Sequence, residues 1–412
     1  MVIYLVILSL MHPACTSQKL ANEDPNYHFD GSISEEVLRN YLARSVTMAE
    51  FCVKPDLLVD GQGSCYEDDI RLIKNISPKF IGRALFRWGR ESDLNDPDFL
   101  PYARKVIEEV HAIDSDVVIQ AAVFEAVSRD VENVPIPDRV FEAFGLSVED
   151  RNFDYESMLF SSGLYVEHWG KGSSVPDVNM LESRMWFYYL ATKYIETGFE
   201  GIHWGQVALM GAEDPKLDHW FEMVDMIREY AKKHARRHFV LHDAHGPWGG
   251  FFREGIHMLD FNSFPLRIVP GSEYMEGRLP EETHLNSIYK RSQGGKTPSG
   301  WTCESLPYIV EFDNFGISED PGQLTDGPFI WGYDEISWFS LKGEEEQKEW
   351  LEYAYKWVRS TDPSAYLQMP VTRVVVNGMD KTHKYKANIK SEACPEGTGL
   401  ERKIEELWKK QI

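Results

Sequence analysis

The chain is poor in cysteine, with 5 in 412 residues, and it has no internal repeat, no low-complexity tract and no apolar run long enough to cross a bilayer as a helix. Each absence removes a class of function. No Cys-x-x-Cys spacing occurs, so a structural zinc site has no support. No Gly-x-Gly-x-x-Gly turn follows the first strand pattern, which removes the signature of a doubly wound dinucleotide-binding sheet. Positive charge is also short. The 43 Lys and Arg face 66 Asp and Glu, a formal net charge of −23 that repels phosphate backbones, so nucleic acid is excluded as the expected partner. What is present, 43 % hydrophobic and 13 % aromatic residues, suits a globular chain with a large core.

Residues 1–10 form an apolar run too short to span a membrane but suited to the core of an export signal. It ends at Ala14-Cys15, and a small residue before a cysteine resembles a bacterial lipoprotein signal, which implies a lipidated Cys15. The expectation is an exported protein facing periplasm or cell surface, touching membrane only through that N-terminal lipid anchor; plain secretion is the alternative. Residues 16–35 are polar and aperiodic and read as a tether. In an oxidising compartment Cys52 and Cys65 are the nearest pair for a disulfide, leaving Cys303 and Cys394; four free thiols are the alternative.

From there, apolar strand-like segments alternate with helical patterns. Strands are expected at 45–51, 79–86, 117–125, 200–207, 238–245, 258–264, 308–314 and 329–335. Helices are expected near 34–41, 68–76, 101–113, 181–197, 219–235, 285–291 and 344–359, and a long insertion fills 128–178. Eight such alternations predict an α/β fold, an eight-stranded parallel (β/α)8 TIM barrel over 36–365, with 366–412 as a small C-terminal addition.

In such a barrel the reacting groups sit at the carboxyl ends of the strands. Those positions hold Glu50, Arg83, Arg87, Glu125, His203, Gln206, Asp243, His245, Asn262, Glu311, Asp313, Asp334 and Glu335. Glu311 and Asp313 share one face of their strand, a costly placement for two acids without a task. Trp88, Trp169, Trp204, Trp248, Trp301, Trp331 and Tyr333 offer flat faces near the same loops.

Paired carboxylates with aromatic platforms resemble the β/α-barrel glycoside hydrolases. The resemblance implies a polysaccharide or oligosaccharide substrate, no cofactor, one protonated acid and one ionised carboxylate. Glu311 or Asp313 is then the nucleophile or base, and Asp243, Glu125 or Glu335 the acid. Arg83, Arg87, Trp88, His203, Gln206, His245, Asn262, Trp301, Trp331 and Asp334 are the substrate-binding set. One departure stands out: strand four ends His203-Trp204-Gly205-Gln206, with no acid. Two other readings stay open. His203, His242, Asp243, His245 and Asp260 are the ligand types of a divalent-metal hydrolase or isomerase, although alternation sets His242 on the other face. A non-catalytic barrel that captures glycans is the third.

Overall fold

The computed structural model describes residues 25–58, 65–273, 276–279, 291–314, 334–376 and 382–410. Cys15, the helix expected at 285–291 (all but its last residue), the expected strand 329–335 up to residue 333, Trp331 and Tyr333 lie outside them.

Eight parallel strands run in chain order: β1 (Ser45–Met48), β2 (Phe80–Leu85), β3 (Val118–Ala122), β4 (Gly201–His203), β5 (Leu241–Asp243), β6 (Asn262–Pro265), β7 (Tyr308–Glu311) and β8 (Ala365–Val376). Each pairs with its sequence neighbour, and β8 returns to β1 with Val46 opposite Met369. The remaining seam, β5 to β6, is held by a parallel bridge between His245 and Ser263. The fold is therefore a nearly closed TIM barrel, as the strand count predicts.

Helices between the strands carry ordinary end signals. α1 (Glu35–Ala43) is capped by the Ser34 side chain; α2 (Tyr66–Ile76) opens on Glu67, Asp68 and Asp69, which complement the helix N-terminus. α3 (Phe99–Ile113), α4 (Leu181–Thr197) and α5 (Asp218–His234) follow, α4 stopping at Gly198 with φ +117°, a left-handed end that glycine permits. α6 (Glu335–Ser340) and α7 (Glu344–Thr361) precede β8, and α8 (Glu401–Lys409) ends the described chain. No helix among the described residues is long and apolar enough to cross a membrane.

The barrel interior changes character along its axis with the two-residue period of a strand. At the amino ends, Phe80, Val118, Leu241, Phe261, Ile309 and Tyr366 form one buried cluster with Phe29, Ile33 and Tyr41. Two residues further on, the same strands present Gly82, Gln120, Asp243, Ser263, Glu311 and Gln368. An apolar floor thus supports a polar layer above it.

Two expectations need correction. The last barrel strand is Ala365–Val376, not 329–335, so a boundary at 365/366 falls at the start of β8 rather than after the barrel. Both segments are apolar and β-prone, and periodicity alone does not rank them. β8 outruns the barrel and pairs antiparallel with β9 (Thr382–Lys386); the true extension follows, its Glu401 accepting from the Arg71 guanidinium at 2.5 and 3.0 Å. The expected tether also fails in its last third. Phe29 and Ile33 are buried beneath the floor, and the Gly31 amide donates to the Arg237 carbonyl at 2.8 Å, because the apolar barrel base needs a cover.

Candidate functional site

Local backbone geometry builds the centre of the site. Between β2 and β3, Ile81 faces Ile119 but Leu85 faces Ala121, so β2 spends extra residues on a bulge. Arg83 lies in that bulge with φ +57°, which turns inward a side chain that simple alternation from Ile81 would send outward. Gly82 makes the crossing possible: a Cβ there would lie 2.5 Å from Gln368 Nε2.

Arg83 then reaches across the barrel. Nη1 donates to Asp313 Oδ1 at 3.0 Å, and Nη2 meets Glu311, His245 Nε2 at 3.1 Å and His203 Nε2 at 3.3 Å. A second guanidinium, Arg373 from β8, donates to Glu311 Oε2 at 3.1 Å, Asp313 Oδ1 at 2.5 Å and Asn314 Oδ1 at 3.2 Å. Both Glu311 oxygens are therefore taken, Oε1 also by His245 at 3.0 Å. Asp313 differs. Among the described residues its Oδ2 has only His245 Nε2 nearby, at 3.6 Å, and the residue is 7 % exposed against 1 % for Glu311.

Protonation follows from these contacts. Burial alone would push both carboxyls up. Arg83 outweighs it for Glu311, and Arg83 with Arg373 holds Asp313 well below the usual carboxylate range. His203, buried beside Arg83 and His245, is driven well below its ordinary value and is neutral. Because Nε2 faces a donor, its proton sits on Nδ1, which donates to Asp243 Oδ2 at 2.8 Å. Asp243 also accepts from Ser263 Oγ at 2.7 Å and Gln120 Nε2 at 2.5 Å, yet burial raises it to about 7. Wholly buried, it orients His203.

Asp334 contributes a third kind of carboxyl. It caps α6, accepting from the Ser337 amide at 2.9 Å, and Asn314 Nδ2 reaches it at 3.1 Å. Burial raises it to about 6 against those donors, with the Asp313 charge adding to the rise. Asn314 links it to Arg373 and so to Asp313.

The other expected site residues separate from this centre. Arg87 is tied to Glu50 at 3.2 Å, to Asp93 and to the Leu57 carbonyl at 2.9 Å. Glu125 accepts from the Gln206 amide at 2.9 Å and its Nε2 at 3.1 Å, so strand four's glutamine is spent on strand three's acid. Gly205, φ +55°, makes room for that pair; a Cβ would lie 2.1 Å from Glu125 Oε2. Gly205→Ala should cost roughly 1–3 kcal/mol, read from a urea midpoint, and an unchanged midpoint would mean the pair relaxes freely. Asn262 braces a loop, donating to Ser292 Oγ at 2.9 Å.

Further residues lie away from this centre. Glu335 is not on a strand but buried in the first turn of α6, with Arg267 as its electrostatic neighbour. Trp301 precedes β7 and emerges at the barrel floor, its Nε1 donating to the Ile33 carbonyl at 2.9 Å. His242 and Asp260 lie outside the inner layer: His242 stacks on the wholly buried Trp204, whose Nε1 donates to it at 3.0 Å, and Asp260 accepts from the His242 amide. The five-residue metal set is thus divided. Ligand atoms of His245, Glu311 and Asp313 do lie within 4.8 Å of one another, but two guanidiniums occupy the same carboxylates and oppose a further cation. Beside the polar centre, Phe124 packs edge-on to His203, and the 38 % exposed Trp88 packs on Phe124 and Trp169.

No family model matches the chain, and no curated protein does. Among solved structures it is similar to a Nostoc punctiforme debranching enzyme, 14 % identical over 54 % of this chain and 52 % of that one, TM-score 0.32. It is similar to a β-L-arabinopyranosidase from Geobacillus stearothermophilus, 10 % identical over 50 % and 49 %, TM-score 0.28. It is also similar to a Bacteroides uniformis β-glucuronidase, 11 % identical over 93 % of this chain and 37 % of that one, TM-score 0.41. The chain spans about half the length of the first of these. With scores this low, the fold rests on the strand topology described above.

Proposed function

We propose that the barrel hydrolyses glycosidic bonds, with Asp313 as the ionised nucleophile or base and Asp334 as the proton donor. One observation carries the reading: a carboxylate held ionised by two guanidiniums, with one oxygen left open, stands beside a carboxyl raised to about 6. Acid-assisted cleavage of an acetal needs that division of labour, one group to lend a proton and one to stabilise or attack the sugar carbon. Glu311, with both oxygens engaged, positions Arg83, Arg373 and His245 rather than attacking. Trp88 is a flat apolar face of the kind sugar rings stack on.

The test is a panel of polysaccharides and aryl glycosides assayed with the full chain and its Asp334→Asn variant. Reducing sugar released by the wild type and lost in the variant on unactivated substrates supports the reading. Binding to a glycan with no product at any pH from 4 to 8 would overturn it in favour of a glycan-capturing barrel, which the saturated Glu311 and the acid-free fourth strand favour. Export through a lipoprotein-type signal is part of the proposal, and its check is radiolabelled palmitate incorporation that Cys15→Ser removes.

A further inference from the structure

Far from the polar centre, two cysteines meet across the chain. Cys65 caps the N-terminus of α2 and Cys394 lies in the segment between β9 and α8. Their thiols lie close enough to perturb each other's titration, and Cys65 Sγ donates to the carbonyl of Ala393, the chain neighbour of Cys394, at 3.4 Å. Both backbones are already fixed. The Cys65 carbonyl accepts the first helical bond of α2, from the Asp69 amide at 2.9 Å. Cys394 exchanges bonds with Ser391 at 3.0 and 3.1 Å and accepts from the Gly397 amide at 3.1 Å.

We propose that Cys65 and Cys394 form a disulfide that ties the C-terminal segment to α2, in place of the Cys52–Cys65 pairing that sequence proximity suggests. Cys52 is wholly buried, and Cys303 faces the Gly295 carbonyl at 3.7 Å. The site is built for exchange. Lys386 Nζ, 3.0 Å from Asp69 Oδ2, lies close enough for its charge to act on both thiols. The neighbouring Cys394 thiol lowers the Cys65 thiol against its burial, with Lys386 assisting, so Cys65 is the attacking sulfur. A cavity of about 420 Å³ lined by Cys65, Tyr66, Asp69, Lys386 and Ala393 gives an oxidant access.

The oxidant is a disulfide such as oxidised glutathione. The Cys65 thiolate attacks one of its sulfurs and displaces a glutathione thiolate, leaving a mixed disulfide. Cys394, losing its proton, attacks the Cys65 sulfur and displaces the second glutathione. Two protein thiols lose two electrons and two protons; the oxidant becomes two thiols.

The experiment equilibrates the full chain with an oxidising glutathione couple, blocks free thiols, digests without reductant and maps the peptides by mass. The expected product joins the Cys65 and Cys394 peptides, with Cys52 and Cys303 blocked as free thiols. Because the closed loop is long, Tm of the oxidised protein should exceed that of the reduced protein by roughly 5–10 °C. Cys394→Ser should remove that difference and Cys303→Ser should keep it. Cys65 and Cys394 both blocked as free thiols after oxidation, or Cys65 joined to any other cysteine, overturns the proposal, and the wild-type map decides even where a variant fails to fold.

Discussion

Arg83→Met should destabilise the protein by about 3–5 kcal/mol, because it leaves two buried carboxylates short of a partner rather than deleting an interaction cleanly. Arg83 is 6 % exposed and serves Glu311, Asp313, His203 and His245 at once. Arg373 alone reaches one oxygen of each acid and leaves Glu311 Oε1 without a guanidinium. In thermal melts at pH 7 the loss should lower Tm by roughly 4–6 °C. Arg83→Lys should recover only part of it, since an ammonium is a point charge and lacks the fork that spans the barrel. The pH dependence carries a sign. With the guanidinium present, Glu311 and Asp313 have depressed folded values and contribute stability above their unfolded values, near 4. Without it they take up protons as pH falls, so the gap between variant and wild type should narrow towards about pH 4. A gap that stays constant from pH 7 to 4 would mean that the arginine acts through packing.

How much of this was legible follows from where alternation holds and where it breaks. Helix ends, strand spacing and the pairing of Glu311 with Asp313 on one face are periodic signals, and they place seven of the eight barrel strands. The eighth was misread because 329–335 and Ala365–Val376 are both apolar and β-prone, and the choice between them is made by partners, Ala365 against Tyr308 and Met369 against Val46, that lie far away in the chain. Arg373 was lost with it. Its signal was visible: a lone arginine inside Val371-Thr-Arg-Val-Val-Val376. Arg83 was found by its place at a strand end, yet its inward direction depends on a positive φ that the neighbours Gly82 and Ala84 do not announce. Trp301 precedes β7 instead of following it, and the loop before a barrel strand emerges at the floor. Gln120, Ser263 and Gln368 went unremarked as single polar residues in apolar strands, the places where an inward polar layer would show.

Asp313→Asn should abolish turnover, with kcat lower by about 1,000-fold or more on every substrate the wild type cleaves, while Glu311→Gln should cost less in rate and more in stability. The difference is geometric. Asp313 sits two residues nearer the mouth and keeps Oδ2 open, whereas Glu311 has no oxygen to offer. On the proposed assignment, donor and nucleophile separate by leaving group. An aryl glycoside whose phenol departs without a proton needs no acid, so Asp334→Asn should retain most activity on it while losing activity on a natural linkage; Asp313→Asn should lose both. The pH profile gives a second, independent separation. Asp313 is held well below the ordinary range and stays ionised throughout, so it puts no limb between pH 4 and 8. If Asp334 is the donor, it can lend a proton only below its value of about 6, so kcat/KM on a natural linkage should be level in acid and fall as pH rises through about 6. That limb should vanish in Asp334→Asn with the activated phenol as leaving group. If instead Glu311→Gln is the dead variant and Asp313→Asn turns over normally, the open oxygen is not the reacting one, and the guanidinium pair serves Asp313 as a brace.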